Sequence, residues 1–277
     1  MNDIRNFVQA IPGTANLPNA SIYVQAIERK SPIELFLRSR TEIVLAGQDS
    51  LITANPIIGR LLILGAVSAF ENYCRGILSG ALLMCPISQG RASDKNVNLG
   101  GAIWHGQYGN FSLSAFEHKS FADAKELKSV FKDYLNFELN ESTFGELLRY
   151  FEVITHLRHA IVHSDGILPG RNAVKLDISR SNSALRVCID QSKLQECLLI
   201  LSNLVTLINR ELFSQMCRRW AVEWRGRADW NPSDANDLLR AILDLFVDRA
   251  YNSTVAIDGE MGTSALRAAL IAQYALD

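Results

Sequence analysis

The stretch that decides the fold is Ile57–Met84, IIGRLLILGAVSAFENYCRGILSGALLM, which Pro56 precedes and Pro86 follows. Proline suits the start of a helix and cannot continue one, so the sequence predicts one long helix between the two prolines. A membrane span needs about 20 predominantly apolar residues. Three charged residues interrupt this run, and its uncharged part Leu61–Phe70 is only ten residues long. We therefore expect a buried core helix.

Further helices are predicted where apolar residues recur at helical spacing. They cover 31–46, 120–136, 143–163 and 191–224, with two shorter helices over 233–250 and 263–275. Ser31 can cap the first of these, and Pro32 suits its first turn. A capping box around Ser142 or Thr143 is expected to open the helix that ends near His163.

Two segments are predicted not to be helical. Residues 86–119 are rich in Gly, Ser and Asn, which indicates a long loop. Residues 173–179 and 184–190 alternate apolar and polar side chains around a polar turn, which is typical of a β-hairpin. The expected fold is therefore all-α: a bundle of four main helices with a small β-hairpin insert and a C-terminal helical extension. We expect a lead-in over 1–30, the main domain over 31–226 and the extension over 227–277.

Composition narrows the class of protein. The chain has 277 residues and a net charge of −1, which excludes a globally basic nucleic-acid binder but allows a local basic patch. The five cysteines include no CxxC pair, which favours reduced thiols over a disulfide framework or a zinc ribbon. The first residues show no basic start followed by an apolar run, so no signal peptide is expected. We expect a cytoplasmic protein without a membrane segment.

The segment that carries chemistry is Glu152–Gly166, EVITHLRHAIVHSDG, which holds three of the five histidines. At 100° per residue, four of its polar side chains fall near one face, one turn apart: Glu152, His156, His159 and His163. Arg158 lies about 100° round the helix from His159. Burying such groups unpaired costs a few kcal/mol each, so we expect something polar to face them.

Three interpretations of this stripe follow from the residues. The side chains can face solvent or form a polar contact between helices. Alternatively, His159 and His163 can chelate zinc, with Glu152 or His156 as a further ligand. In the third interpretation, one histidine takes a proton from a ribose 2′-hydroxyl and another delivers one to the leaving 5′-oxygen, while the Arg158 guanidinium holds the phosphate. This last chemistry requires no metal.

Arg158-His159-Ala-Ile-Val-His163 matches the RxxxxH motif of the HEPN (higher eukaryotes and prokaryotes nucleotide-binding) ribonucleases, whose second residue is usually Asn, Asp or His. The motif resembles the family's in lying late in a bundle helix. The earlier helix around Glu71 looks like the family's first core helix, which commonly carries an acidic residue near the site. The resemblance covers about residues 31–215.

The resemblance implies an α-helical, usually dimeric protein in which two motifs meet in a cleft. Such enzymes cut RNA without metal or cofactor and leave 2′,3′-cyclic phosphate and 5′-hydroxyl ends. Carried over, Arg158 would bind and polarise the phosphate, His163 would be the general acid or base, and His159 would orient or support. Glu71 would fix Arg158 or a histidine by an ion pair, or else lie on the helix surface. Asp165 would pair with His163 or be a simple turn residue.

The partners implied are an RNA substrate, a second copy of the chain, and an antitoxin or regulatory protein. Many members of the family are toxins or antiviral effectors. The alternative is a catalytically inactive HEPN-like module that binds RNA, a nucleotide or a partner protein.

A second patch combines arginines with tryptophans near the end of the helix 191–224. Arg218, Arg219, Trp220 and Trp224 could bind single-stranded RNA, since arginine handles phosphates and aromatic rings stack on bases. Alternatively, the tryptophans pack the C-terminal helices onto the bundle while the arginines are solvated.

Overall fold

The computed structural model describes residues 19–28, 30–248 and 262–276. The chain divides into two compact units, Met1–Lys30 and Ser31–Asp277. In the first unit, the described residues contain a 3₁₀ turn, Ala20–Tyr23, at whose start the Asn19 side chain accepts a hydrogen bond from the Ser21 amide. Residues 1–18 of the predicted lead-in lie outside the described residues.

The second unit is all-α over its described residues, which confirms the predicted fold class. Its α-helices are α1 (Pro32–Ala46), α2 (Asp49–Ala54), α3 (Ile57–Met84), α4 (Pro86–Ala92), α5 (Leu99–Gly106), α6 (Ala124–Leu135), α7 (Glu141–Ser164), α8 (Gly170–Lys175), α9 (Gln191–Arg218), α10 (Ala235–Phe246) and α11 (Thr263–Tyr274). A π-helical stretch, Arg219–Trp224, continues α9, and 3₁₀ turns occupy Phe111–Ala115 and Pro232–Asp234.

Helix α3 lies at the centre of this unit and has the predicted ends. Helices α1, α6, α7, α9 and α10 all pack against it. It is buried on several sides because apolar residues occupy most of its circumference, among them Ile63, Phe70 and Ile77. By length and composition, α3 and the stretch Gln191–Trp224 could each cross a membrane, a property that core helices of soluble proteins share.

The helix starts follow from side-chain caps. Ser31 opens α1 with a capping box, since its hydroxyl accepts from the Glu34 amide while the Glu34 carboxylate accepts from the Ser31 amide. Helix α7 begins earlier than the predicted capping box at Ser142 or Thr143. Its cap is Asn140, whose side-chain oxygen accepts from the Thr143 amide at 2.9 Å.

The predicted long loop over 86–119 is wrong, because this segment holds α4, α5 and a 3₁₀ turn. Pro86, interpreted only as the end of α3, also occupies the first turn of α4. Cys85 Sγ accepts from the Ser88 amide at 3.4 Å, and Asn98 Oδ1 accepts from the Gly101 amide at 3.0 Å. These local caps start short helices despite the glycine content.

The predicted β-hairpin is not formed either, and no strand occurs among the described residues. Its first half overlaps the short helix α8, which follows Pro169. Its second half is extended but pairs with residues that directly follow α7, through an isolated bridge between Ile167 and Arg186. Val187 donates to the Gly166 carbonyl at 2.8 Å. Alternation identified an extended segment, but it does not specify which segment is the partner.

The C-terminal helices pack on the bundle through α3 and α9. The Trp220 indole donates to the Ala235 carbonyl at 3.0 Å, and the Asn209 amide of α9 donates to the Phe246 carbonyl at 2.9 Å. Leu245 of α10 packs directly over Gly80 of α3. Helices α10 and α11 therefore belong to the same compact unit as α3.

Candidate functional site

The candidate site lies where α7 ends. Asp165 adopts a left-handed conformation with φ of 50°, and Gly166 follows with φ of 79°. The Gly166 amide donates to the Ala160 carbonyl at 3.0 Å, which closes the helix in a Schellman-type arrangement. This is the predicted end of the helix. It leaves His163 exposed in the last turn.

Two histidines of the motif are neighbours on this helix. The ring centroids of His159 and His163 are 4.6 Å apart, as expected for residues one turn apart. Both side chains are exposed, whereas Arg158 is half-buried. The structure therefore places two imidazoles and one guanidinium within the last two turns of α7.

The surroundings of His159 are electropositive. Partial loss of solvent lowers the pKa of His159 below its ordinary value of 6.5, and nearby positive groups lower it further. These groups are His163, Arg158, His156 and Arg171. Three of them belong to α7, and Arg171 comes from α8. The neutral imidazole of His159, which can accept a proton, is therefore favoured.

Two further arginines flank the turn that follows α7. A Cβ atom added to Gly166 would lie 2.9 Å from Arg60 Cδ and 3.6 Å from Arg186 Cγ. Arg60 belongs to the start of α3, and Arg186 to the extended segment 184–190. Arg186 donates to Asp165 at 3.0 Å. The end of α7 thus collects basic side chains from four parts of the chain.

The acidic residues near the site do not make the ion pairs that the sequence predicts. Glu71 pairs with Arg75, one turn along α3, at 3.4 Å. Its neighbour Phe70 packs on Phe151, which precedes Arg158 by seven residues, or about 10 Å of helix. The expected ion pair between Glu71 and Arg158 or a histidine is therefore absent from the described contacts. Likewise, the recorded partner of Asp165 is Arg186, not His163.

The zinc interpretation has no preformed ligand set in this structure. Over the described ranges, no three His, Cys, Asp or Glu side chains come together in an arrangement that could hold a metal ion. His159 and His163 are adjacent, but Glu152 does not complete a site with them.

The predicted RNA platform is corrected by the burial of its residues. Three of its four side chains are at most 2% exposed: Arg219, Trp220 and Trp224. The Trp220 indole is bound to the Ala235 carbonyl, and the Arg219 guanidinium donates to the Ser88 hydroxyl at 3.2 Å. Arg218 alone is exposed. The tryptophans pack the end of α9 against the C-terminal helices, so their faces are not available for stacking on bases.

Sequence reasoning missed Arg60, Arg171 and Arg186 as members of the site. One signal was present, because Arg60 is the only charged residue between Ile57 and Phe70. An isolated charge in an apolar helix marks a position where a partner is needed. The other two arginines lie in loops and short elements, and only the tertiary structure brings them to α7.

Comparison of this chain with protein-family models, with curated proteins and with solved structures gives no significant match.

Proposed function

We propose that this chain is a metal-independent endoribonuclease of the HEPN type. It would cleave RNA by attack of the 2′-oxygen on the adjacent phosphorus, leaving 2′,3′-cyclic phosphate and 5′-hydroxyl ends. One observation carries the proposal: Arg158, His159 and His163 share the last two turns of α7, and every charged group that shifts the pKa of His159 is positive. A phosphodiester is the substrate group that such a cluster attracts.

Each group has a role in the proposed reaction. The Arg158 guanidinium binds the non-bridging oxygens of the scissile phosphate and stabilises the charge that develops there. The exposed His163 transfers a proton, either from the 2′-hydroxyl or to the departing 5′-oxygen. His159, held mainly neutral, accepts a hydrogen bond and orients the reacting groups. The O2′–P bond forms as the P–O5′ bond breaks. One proton leaves the 2′-hydroxyl, and one proton reaches the departing 5′-oxygen.

A second copy of the chain would supply the second acid or base. Supporting this, the apolar side chain of Val162 on α7 is 45% exposed. Val162 lies between the two histidines of the motif. Exposed apolar side chains on the helix that bears the site are suited to an interface between copies.

The test is incubation of the purified protein with total RNA and with tRNA in EDTA, followed by end-group analysis. We expect cleavage with cyclic-phosphate ends by wild type, and a loss of about 10²–10⁴-fold in Arg158→Ala/His163→Ala. The matched control is Arg38→Ala/His118→Ala, which removes the same residue types from exposed positions outside the site. It should cleave like wild type.

Each other outcome redirects the proposal. RNA binding without cleavage, unchanged in His163→Ala, would support the inactive binding module. Cleavage only after addition of zinc would support the metal interpretation. We further propose a role as a toxin or antiviral effector, for which wild type should arrest growth of its host and the double variant should not.

A further inference from the structure

The Arg60 side chain is largely buried, and its guanidinium has no partner among the described residues. The residue is 9% exposed, near the start of α3. Among the described residues, no carboxylate, carbonyl or aromatic ring contacts its guanidinium within bonding distance. The other arginine that is buried among the described residues is bonded, since the Arg219 guanidinium donates to the Ser88 hydroxyl. Arg60 therefore differs from a structural arginine of this fold.

Arg60 lies beside the turn that ends α7, where the candidate site also lies. Its Cδ and Nε atoms lie 2.9 and 3.3 Å from the point that a Cβ atom of residue 166 would occupy. Residue 166 is glycine, so the Arg60 side chain packs directly against its backbone. Gly166 directly follows the end of α7, three residues after His163.

No acidic side chain among the described residues pairs with the charge of Arg60. The negative end of the α7 dipole favours a cation here, but that contribution is modest. The carboxylate nearest in sequence to this turn, Asp165, is already bonded to Arg186. The nitrogen atoms of Arg60 are not among the fully buried unbonded polar atoms of the described residues, so an anion from outside the chain can reach the guanidinium.

We propose that Arg60 binds a phosphate of the substrate, next to the phosphate that Arg158 holds. Arg186 lies beside the same face of Gly166, since its Cγ atom is 3.6 Å from the same Cβ position, and it would contact the same anion. Identifying the anion as an RNA phosphate rests on the proposed function; that Arg60 binds an anion does not. The site would extend recognition by one nucleotide from the scissile bond.

The experiment measures binding of an eight-nucleotide 2′-O-methyl RNA, which lacks the attacking hydroxyl and cannot be cleaved by this route. Fluorescence anisotropy over a series of salt concentrations gives its affinity for wild type, Arg60→Gln and Arg38→Gln. We expect Arg60→Gln to bind at least tenfold more weakly, with a salt slope smaller by about 0.7. Arg38→Gln removes the same charge from an exposed position and should bind like wild type.

Thermal unfolding with and without inorganic phosphate separates binding from folding. Phosphate should raise the unfolding midpoint of wild type but not that of Arg60→Gln. Without phosphate, the variant should unfold at the same or a higher temperature, because the guanidinium that it loses has no partner among the described residues. Arg60→Lys, which keeps the charge, should retain part of the phosphate response.

The outcomes distinguish this inference from the proposed function. If Arg60→Gln binds the oligonucleotide like wild type, or lowers the midpoint equally with and without phosphate, Arg60 is structural and the inference fails, whether or not wild type cleaves RNA. If Arg60→Gln loses binding while wild type does not cleave, the anion site stands and the nuclease is refuted.

Discussion

Gly166 shows how one residue sets the geometry of the candidate site. Its φ of 79° lies in the left-handed region, and an added Cβ would meet the Arg60 side chain. Both facts require glycine here. A residue with a Cβ atom is disfavoured at this φ, and that Cβ would also clash with the Arg60 side chain. The residue therefore serves both the end of α7 and the proposed anion site.

Gly166→Ala should lower the free energy of unfolding by about 1–2 kcal/mol, since a non-glycine residue is strained in this conformation. Gly90→Ala is the matched control, because no heavy atom lies within 4 Å of its added Cβ. There the substitution should be neutral or stabilising by up to about 1 kcal/mol. Chemical denaturation measures both. Equal changes in the two variants would contradict the argument.

The titration of His159 tests the electropositive surroundings. Its pKa lies below 6.5 because of lost solvent and then positive neighbours, one of which is Arg171. Arg171→Gln should therefore raise the pKa of His159, whereas Lys175→Gln on the same short helix should leave it unchanged. Proton NMR of the imidazole ring during a pH titration measures the shift. An unchanged pKa in Arg171→Gln would show that Arg171 does not contribute to the shift.

The sign of the linked stability effect follows from the same shift. His159 binds a proton more readily in the unfolded chain, where its pKa is the ordinary 6.5. Its contribution to stability is therefore fully present above pH 6.5 and is lost as the pH falls from there through the folded pKa.

At the scale of elements, α3 touches the extended segment 184–190 through Gly59. A Cβ at this position would collide with the backbone carbonyl of Ile189. This close approach holds the start of α3, and with it Arg60, against the segment that carries Arg186. A glycine inside a helix is costly, and here the contact explains its presence.

Gly59→Ala should destabilise the protein by about 1–3 kcal/mol or more, because a backbone carbonyl cannot move aside as a side chain can. Gly65→Ala, in the same helix, should stabilise by about 0.5–1 kcal/mol, since its Cβ would meet only Ile43 at 3.6 Å. Unfolding in urea tests the opposite signs. A stable Gly59→Ala variant would mean that the segment 184–190 packs differently from this structure.

The sequence specified those elements whose signals are local. The apolar run between Pro56 and Pro86 predicted α3 to the residue, and Ser31 marked the start of α1. The loop predicted over 86–119 is wrong because its glycine content suggested irregular structure, whereas the Asn98 side chain caps a short helix there. The hairpin was misjudged because alternation describes one strand at a time, whereas the bridge to Ile167 depends on tertiary structure.

At the scale of the molecule, the site residues that share one helix could be predicted, whereas those that tertiary packing brings to the site could not. Arg158, His159 and His163 lie within one helix, so their proximity follows from helical geometry. Arg60 lies about a hundred residues earlier, and only the packing of α3 beside the end of α7 brings it to the site. The predicted ion pair of Glu71 failed for the corresponding reason: α3 and α7 meet in a register that places Glu71 level with Phe151 rather than with Arg158.

The proposed dimer gives a prediction that belongs to the whole molecule. If cleavage needs the motifs of two copies, a dimer with one Arg158→Ala/His163→Ala chain is inactive. Co-expressed mixtures should then lose activity as the square of the wild-type fraction, after correction for total protein. Pull-down through a tag on the variant chain verifies that mixed dimers form.

A linear decline would show that each chain acts alone, since inactive chains would only dilute active ones. The control is Arg38→Ala/His118→Ala mixed with wild type, which should show no decline. A decline as the square also requires that the interface survive the two substitutions. Because Val162, the exposed apolar side chain that supports the proposed interface, stays intact in the variant, association and chemistry can be separated. Replacing Val162 by Asp should in turn yield monomers that retain the fold but not the activity, as sedimentation and circular dichroism would reveal.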